Sequence, residues 1–283
     1  MEHEHRDRAT GWKYAKLSGH KNEKLVNDLL NSDLEYQKYF LSRTGYEKEI
    51  ITSSSIGGLH ETNVPGVLGT KTKSKTDLKV YCKSGKQINV SIKKSLSGQV
   101  YFVRAELFFK VFEIQFGRVI PENVKRAMRL FWAAADDADE IIERFALKNG
   151  KNYDLQLRHH SLNADTLQRY DSNLYSAMLQ WFRENIYEIT KLSFTIGAVR
   201  DCSEWSEFVW YINTLNENNV DDIFPIDDIC LAAGRAAKTD IAYGTSNGGT
   251  TIQLPFGFVQ WHQAQMQFHH NYEKVRNLYY SAK

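Results

Sequence analysis

Asp77, Ser91 and Lys93 are the residues whose types and spacing come nearest to a reaction centre in this 283-residue chain. They fall in two short alternating runs, residues 76–81 and 88–94, on either side of a Ser84-Gly85 turn, which is the pattern of a β-hairpin. Alternation sorts the side chains onto two faces. Leu78, Val80, Ile88, Val90 and Ile92 share the apolar face, and Asp77, Ser91 and Lys93 share the other. A carboxylate on one strand and a lysine on the next suit metal-assisted phosphodiester chemistry. Carboxylate oxygens hold a hard cation, and an ammonium can meet a phosphate oxygen or orient a water. The plain alternative is a solvated edge hairpin guarded by its lysines. Residues 71–94 carry eight lysines against one acid, Asp77, so a polyanion approaching a metal site and a wet basic edge are both natural readings.

Asp77, thirteen intervening residues and then Ser91-Ile92-Lys93 resemble the D…(D/E)xK signature of the PD-(D/E)XK nucleases, and among them the type II restriction endonucleases. The resemblance implies that Asp77 binds Mg²⁺, that Ile92 offers its backbone carbonyl to the metal, and that Lys93 positions or deprotonates the attacking water. The chain departs from the pattern at Ser91, where Asp or Glu is usual. Some restriction endonucleases have a small residue there and take the missing acid from a nearby helix. Two residues fit that substitution: Glu23, within a Gly-His-Lys-Asn-Glu segment at residues 19–23, and Glu106, separated from Lys93 by twelve residues. Each also has an ordinary reading. Glu23 is a charged residue early in a helix, and Glu106 is one half of an i,i+4 pair with Lys110.

The elements that must position these groups follow from periodicity. A helix is expected over residues 18–31, capped by Ser18, with Leu25, Val26, Leu29 and Leu30 as its stripe and Glu23 leaning toward the buried side. Residues 52–76 read as a long loop rich in serine and glycine. Its Lys71, Lys73 and Lys75 are candidates for contacts to DNA phosphates. Residues 97–117 read as a helix with Val100, Val103, Leu107, Val111 and Ile114 on one side and Gln99, Glu106, Lys110 and Glu113 as a polar strip. Further helices are expected from Pro121 to Trp132, over residues 136–147, and over residues 172–190. Strands are expected over residues 192–199 and 208–212, then loop and turn over residues 220–229.

The C-terminal run supplies strands over residues 250–254 and 256–260 after a Ser246-Asn247-Gly248-Gly249 turn. Gln253, Gln260, Gln263, Gln265 and Gln267 accumulate there, with His262, His269 and His270 nearby. Neutral amides and imidazoles can pair with base edges in the major groove; ordinary surface polarity is the duller account. This NGGTT…LPFG segment is similar to C-terminal parts of several type II restriction endonucleases. Asn247, Thr250, Gln253, His262 and Gln263 are the candidate base-reading residues.

Composition narrows the classes. The apolar fraction of 42% and charged fraction of 25% are those of a globular protein. A net charge of only +2 excludes a chain that is basic throughout. Cys82, Cys202 and Cys230 are far apart, with no CxxC pair. That argues against a zinc ribbon or disulfide framework and suits a reducing cytoplasm. No apolar run reaches the ~20 residues of a membrane span. Adjacent pairs such as His159-His160 and His269-His270 make no metal site, and neither HExxH nor a phosphate loop occurs.

The expectation is therefore an α/β protein: a mixed central β-sheet flanked by helices, with a restriction-endonuclease-like core. A single domain is expected over residues 1–283, with a catalytic part at about 11–135, a helical middle at about 136–190 and a DNA-recognition part at about 191–283. The resemblance implies Mg²⁺-dependent, site-specific hydrolysis of double-stranded DNA leaving 5′-phosphates. It also implies a homodimer on a palindromic site and a cognate DNA methyltransferase in the same system. A structure-specific or repair nuclease, and a sequence-specific DNA-binding protein that no longer cuts, are the alternatives.

Overall fold

The computed structural model describes residues 8–57, 63–148, 150–215 and 220–281, with backbone only for residues 8–18. The polar start expected over residues 1–10 lies outside the described residues as far as residue 7. Two helices, α1 (Arg8–Ser32) and α2 (Leu34–Thr44), precede strand β1 (Ile51–Ile56), the short strands β2 (Val64–Pro65) and β3 (Lys71–Thr72), and the hairpin β4 (Leu78–Cys82) and β5 (Gln87–Lys93). Strand β6 (Ser97–Val103) leads into helices α3 (Ala105–Phe116), α4 (Glu122–Phe131), α5 (Ala138–Phe145), α6 (Lys151–His159), α7 (Ala164–Tyr170), α8 (Ser172–Glu184) and α9 (Ile186–Lys191). Then come β7 (Phe208–Ile212), β8 (Asp221–Pro225), α10 (Ile226–Asp240), β9 (Ala242–Tyr243), β10 (Thr251–Leu254), β11 (Gly257–His262), β12 (Gln265–Asn271) and α11 (Tyr272–Ser281).

The hairpin is not an edge. The first sheet has the order β1-β4-β5-β7-β8. β5 is its middle strand, antiparallel to β4 and parallel to β7, with Ser91 opposite Val209 and Lys93 opposite Tyr211. The sheet is mixed and covered on both sides by helices. On one side, Leu78, Val80, Ile88, Val90, Ile92, Trp210 and Ile212 form a core with Val26 and Leu30 of α1 and Phe40 and Leu41 of α2. On the other, Val209, Tyr211 and Phe224 join a larger core with the helices and the second sheet. That second sheet is antiparallel throughout, in the order β6-β12-β11-β10-β9.

Several expected elements differ. Residues 51–56 form β1 instead of loop, its serines held by helix α1: the Asn31 side-chain amide donates to the Ser54 hydroxyl at 2.9 Å. Residues 97–103 are strand rather than the first turns of a helix, because they pair with β12. The helix that does follow buries Phe108, Phe109, Val111 and Phe112, leaving Leu107 and Ile114 on the surface. Residues 192–196 continue α9 as a π-helical turn in place of a strand. Residues 220–229 hold β8 and the start of α10, not loop. Helix α1 begins well before Ser18 and buries Asn22, Val26 and Leu30, with Leu25 exposed.

Candidate active site and nucleic-acid interface

β4 begins at Leu78, one residue after Asp77, so β5 runs past the end of its partner. The Asp77 carboxylate fills that gap. Its Oδ2 accepts the Ile92 backbone N–H at 2.7 Å and the Ser91 hydroxyl at 3.1 Å. Lys93 Nζ donates to Ser91 Oγ at 2.6 Å, lies 3.4 Å from the Ile92 carbonyl oxygen and 3.7 Å from Asp77 Oδ2. Ser91 is buried, and its hydroxyl joins the acid to the lysine. It therefore positions both partners; an alcohol carries no charge at neutral pH.

Glu23 belongs to this group. Its carboxyl pKa is raised by burial first and by the Asp77 carboxylate second, with His20 and Lys93 opposing. His20 Nδ1 lies 3.2 Å from Glu23 Oε2. The residue before it fixes the helix: Asn22 donates its side-chain amide to the Ile212 carbonyl at 3.0 Å and accepts from the Thr214 backbone N–H at 2.7 Å. A buried asparagine thus ties α1 to the end of β7 and holds Glu23 within electrostatic reach of Asp77 and Lys93. Nothing in the sequence pattern distinguishes Asn22 from a surface residue.

Glu106 is placed elsewhere. Arg129 Nε donates to its carboxylate at 2.6 Å, and that bond, more than any other cause, holds its pKa below the usual carboxylate range. The groups acting on it are Arg129, Lys110 and Lys125, none of them from the hairpin.

The lysine strip divides. Lys71 and Lys73 are exposed. Lys79 and Lys86 pair with Glu204 and Glu207. The ammonium of Lys75 is enclosed: it donates to the Val100 carbonyl at 2.6 Å and lies 4.6 Å from the centre of the Tyr101 ring. Burial, then the charge of Lys93, lowers its pKa to about 7. Beside Lys93 on the next strand, the Tyr211 hydroxyl lies 3.0 Å from His270 Nδ1. His270 is buried, and that burial, with Lys93 second, lowers its pKa to about 3.

The polar residues of the second sheet form an interlocked row. Gln260 donates to Gln267 at 2.9 Å, and Gln267 donates to Gln99 at 3.0 Å, across three strands. His269 lies 3.3 Å from Gln260 and stacks on Phe258 with ring centres 4.6 Å apart. Gln253 lies in β10, half-buried, its amide 3.3 Å from the Thr251 hydroxyl. His262 and Gln265 face each other at the β11–β12 turn, where Gln263 and Ala264 both adopt positive φ, 50° and 55°. Asn247 is exposed with φ of 53°, and its carbonyl accepts from Asn163 at 3.0 Å. Thr250 is half-buried and precedes β10. Gln99, expected on a helix, is the member of this row that sequence reasoning missed; Gln260, Gln267 and His269 were noted in the amide- and imidazole-rich run but are not among the five candidate base-reading residues.

No protein-family model matches the sequence, and no curated protein matches it. Among solved structures, the chain is similar to the crystal structure of restriction endonuclease MspI in complex with its cognate DNA, at 13% sequence identity and a TM-score of 0.42. That similarity spans 91% of this chain and 87% of the other.

Proposed function

We propose that this chain is a divalent-metal-dependent endonuclease that hydrolyses phosphodiesters of duplex DNA at a short recognition sequence, in the manner of a type II restriction endonuclease. The observation that carries the reading is the Asp77–Lys93 pair at the open end of β5, joined through the Ser91 hydroxyl, with Glu23 near enough to feel both charges.

The donor set suits Mg²⁺. Among the described residues no group of three or more His, Cys, Asp or Glu side chains is close enough to hold a metal ion by itself. Two carboxylates with a backbone carbonyl are nevertheless what a Mg²⁺ site needs when waters and phosphate oxygens complete the shell. Asp77 directs one oxygen to Ser91 and Ile92, which leaves its other oxygen for a cation. The Ile92 carbonyl points to the same side of the strand as its N–H, toward Asp77. Burial first and the like charge of Asp77 second raise the Glu23 pKa, and a bound cation would relieve that repulsion. Asp77, Glu23 and the Ile92 carbonyl would hold the metal; once bound, Mg²⁺ acidifies water and stabilises charge on phosphoryl oxygens.

The chain's own groups do the remainder. The Lys93 ammonium, fixed by Ser91, orients the attacking water and offsets the negative charge that builds on phosphorus in the transition state. Water attacking phosphorus in line with the P–O3′ bond forms the new P–O bond as P–O3′ breaks; the departing 3′ oxygen takes a proton from solvent, and the products are a 5′-phosphate and a 3′-hydroxyl. The exposed Lys71 and Lys73 would supply phosphate contacts, and Asn247, Thr250, Gln253, His262 and Gln263 are the residues proposed to meet base edges. A homodimer suits a palindromic site, with a matching DNA methyltransferase guarding the host. Digestion of a long DNA with Mg²⁺ and with EDTA tests the reading: discrete fragments with Mg²⁺ alone are expected. Absence of cleavage in every divalent metal would overturn it.

A further inference from the structure

Lys75 stands two residues before Asp77, in a segment that belongs to no strand over residues 73–77. The backbone there is held on one side. Ser74 Oγ donates to the Glu204 carbonyl at 2.9 Å, the Thr76 hydroxyl donates to the same carbonyl at 2.8 Å, and the Asp77 N–H donates to the Val90 carbonyl at 2.9 Å. The Lys75 side chain reaches the other sheet. Its stem passes Gly197, which has φ of 49° and no side chain; a Cβ there would stand 3.2 Å from Lys75 Cε. The residue as a whole is half-buried, but its amine is enclosed on β6, 2.6 Å from the Val100 carbonyl oxygen and 4.6 Å from the centre of the buried Tyr101 ring. Val100 follows Gln99, the end of the amide row, so this one side chain joins the Asp77 segment to the sheet that carries the amides. The charges that act on the amine are those of Lys93 and Asp77.

Stability alone does not call for a nitrogen in that channel. Taking an amine out of water costs free energy that a single hydrogen bond returns only in part, and more so when it is charged. Methionine is also unbranched, fills an irregular path as readily and carries no such cost. What the amine adds is a directed bond to β6. That bond exists in either protonation state, since an amine and an ammonium both donate.

We propose that Lys75 is a positioning residue for the reaction: tethered to the Val100 carbonyl, it holds the chain before β4 where the Asp77 carboxylate meets Ser91, Ile92 and Lys93. The inference rests on the nuclease reading of Asp77 and Lys93.

The test compares Lys75→Met with the parent, both as full chains. The urea midpoint of the variant is expected at or above that of the parent. The Ile92 N–H donates to Asp77 Oδ2, so its hydrogen exchange reports on the carboxylate without metal or DNA. In the variant that exchange is expected to quicken by about tenfold or more, while the other β5 amides stay within about threefold. On a duplex that the parent cuts, the variant should bind within about threefold and cleave about tenfold or more slowly in a single turnover with Mg²⁺. An Ile92 amide exchanging at the parent rate overturns the proposal, as does parent-level cleavage. A variant that unfolds, or in which all β5 amides quicken together, assigns Lys75 to the core and overturns it too. A parent that cuts no DNA in any divalent metal overturns the nuclease reading, and the exchange comparison still decides whether Lys75 positions Asp77.

Discussion

Lys93 touches three of the four groups that define the centre, at 2.6 Å from Ser91 Oγ, 3.4 Å from the Ile92 carbonyl and 3.7 Å from Asp77. If the proposed reaction holds, removing its ammonium takes away transition-state charge stabilisation and leaves the proposed DNA contacts in place. Lys93→Ala is expected to cut at below a few per cent of the parent rate while binding DNA within about tenfold, roughly 1.4 kcal/mol. Single-turnover cleavage and a binding titration on one duplex measure both. The two acids should part company as well. Glu23 feels Asp77 directly, whereas Glu106 is committed to Arg129. Glu23→Gln is expected to lose Mg²⁺-dependent cleavage. Glu106→Gln should retain it, with a stability loss of about 0–1 kcal/mol as for other exposed ion pairs. Full activity in Glu23→Gln would mean that the metal is held by another residue.

Among the elements, the hairpin was legible and its surroundings were not. Alternation over residues 76–81 and 88–94 gave two faces, and the Ser84-Gly85 turn is real, with Gly85 at φ of 90°. The lysines, however, suggested an edge. β5 is central because residues 208–212, more than a hundred positions later, pair beside it, and no local pattern announces a parallel partner. β12 was hidden for a different reason. Gln263-Ala264 makes a two-residue turn with both φ positive and neither Gly nor Asn to mark it. The apparent helical spacing of Val100, Val103 and Leu107 spans a strand and the helix after it. Where β7 and β12 meet, Tyr211 and His270 make a buried bond whose pH dependence can be tested. The folded pKa of His270 is about 3, below its ordinary 6.5, so between these values the unfolded chain binds more protons. Stability from this group is present above the ordinary value and is lost as pH falls through the window. Urea midpoints taken across it should drop toward acid, with a shallower slope in His270→Asn. An unchanged slope would place the acid sensitivity in other groups.

Across the whole molecule, the proposed reaction centre lies where the two sheets meet. Lys75 spans from the strand-bearing Asp77 segment to β6, and Tyr211 reaches β12. In the proposed reading the chain presents two surfaces of different character to one duplex, and with a net charge of only +2 the attraction to phosphate would be local. Exposed Lys71 and Lys73 belong to the first kind, Gln99, Gln260 and Gln267 to the second. A lysine that neutralises a phosphate releases counterions, so Lys71→Ala and Lys73→Ala should weaken all DNA alike and each flatten the salt slope by about one. A glutamine that reads a base contributes about 1–3 kcal/mol of discrimination and releases none. Gln260→Ala and Gln267→Ala should then weaken cognate binding, barely affect scrambled DNA, and leave the slope in place. Titrating each variant on both duplexes at several salt concentrations separates the two behaviours. Because the three amides bond in series, loss of Gln267 frees both neighbours, and its effect should exceed that of Gln99→Ala at the row's end. Equal losses on cognate and scrambled duplexes for the glutamine variants would move the base-reading surface off the second sheet.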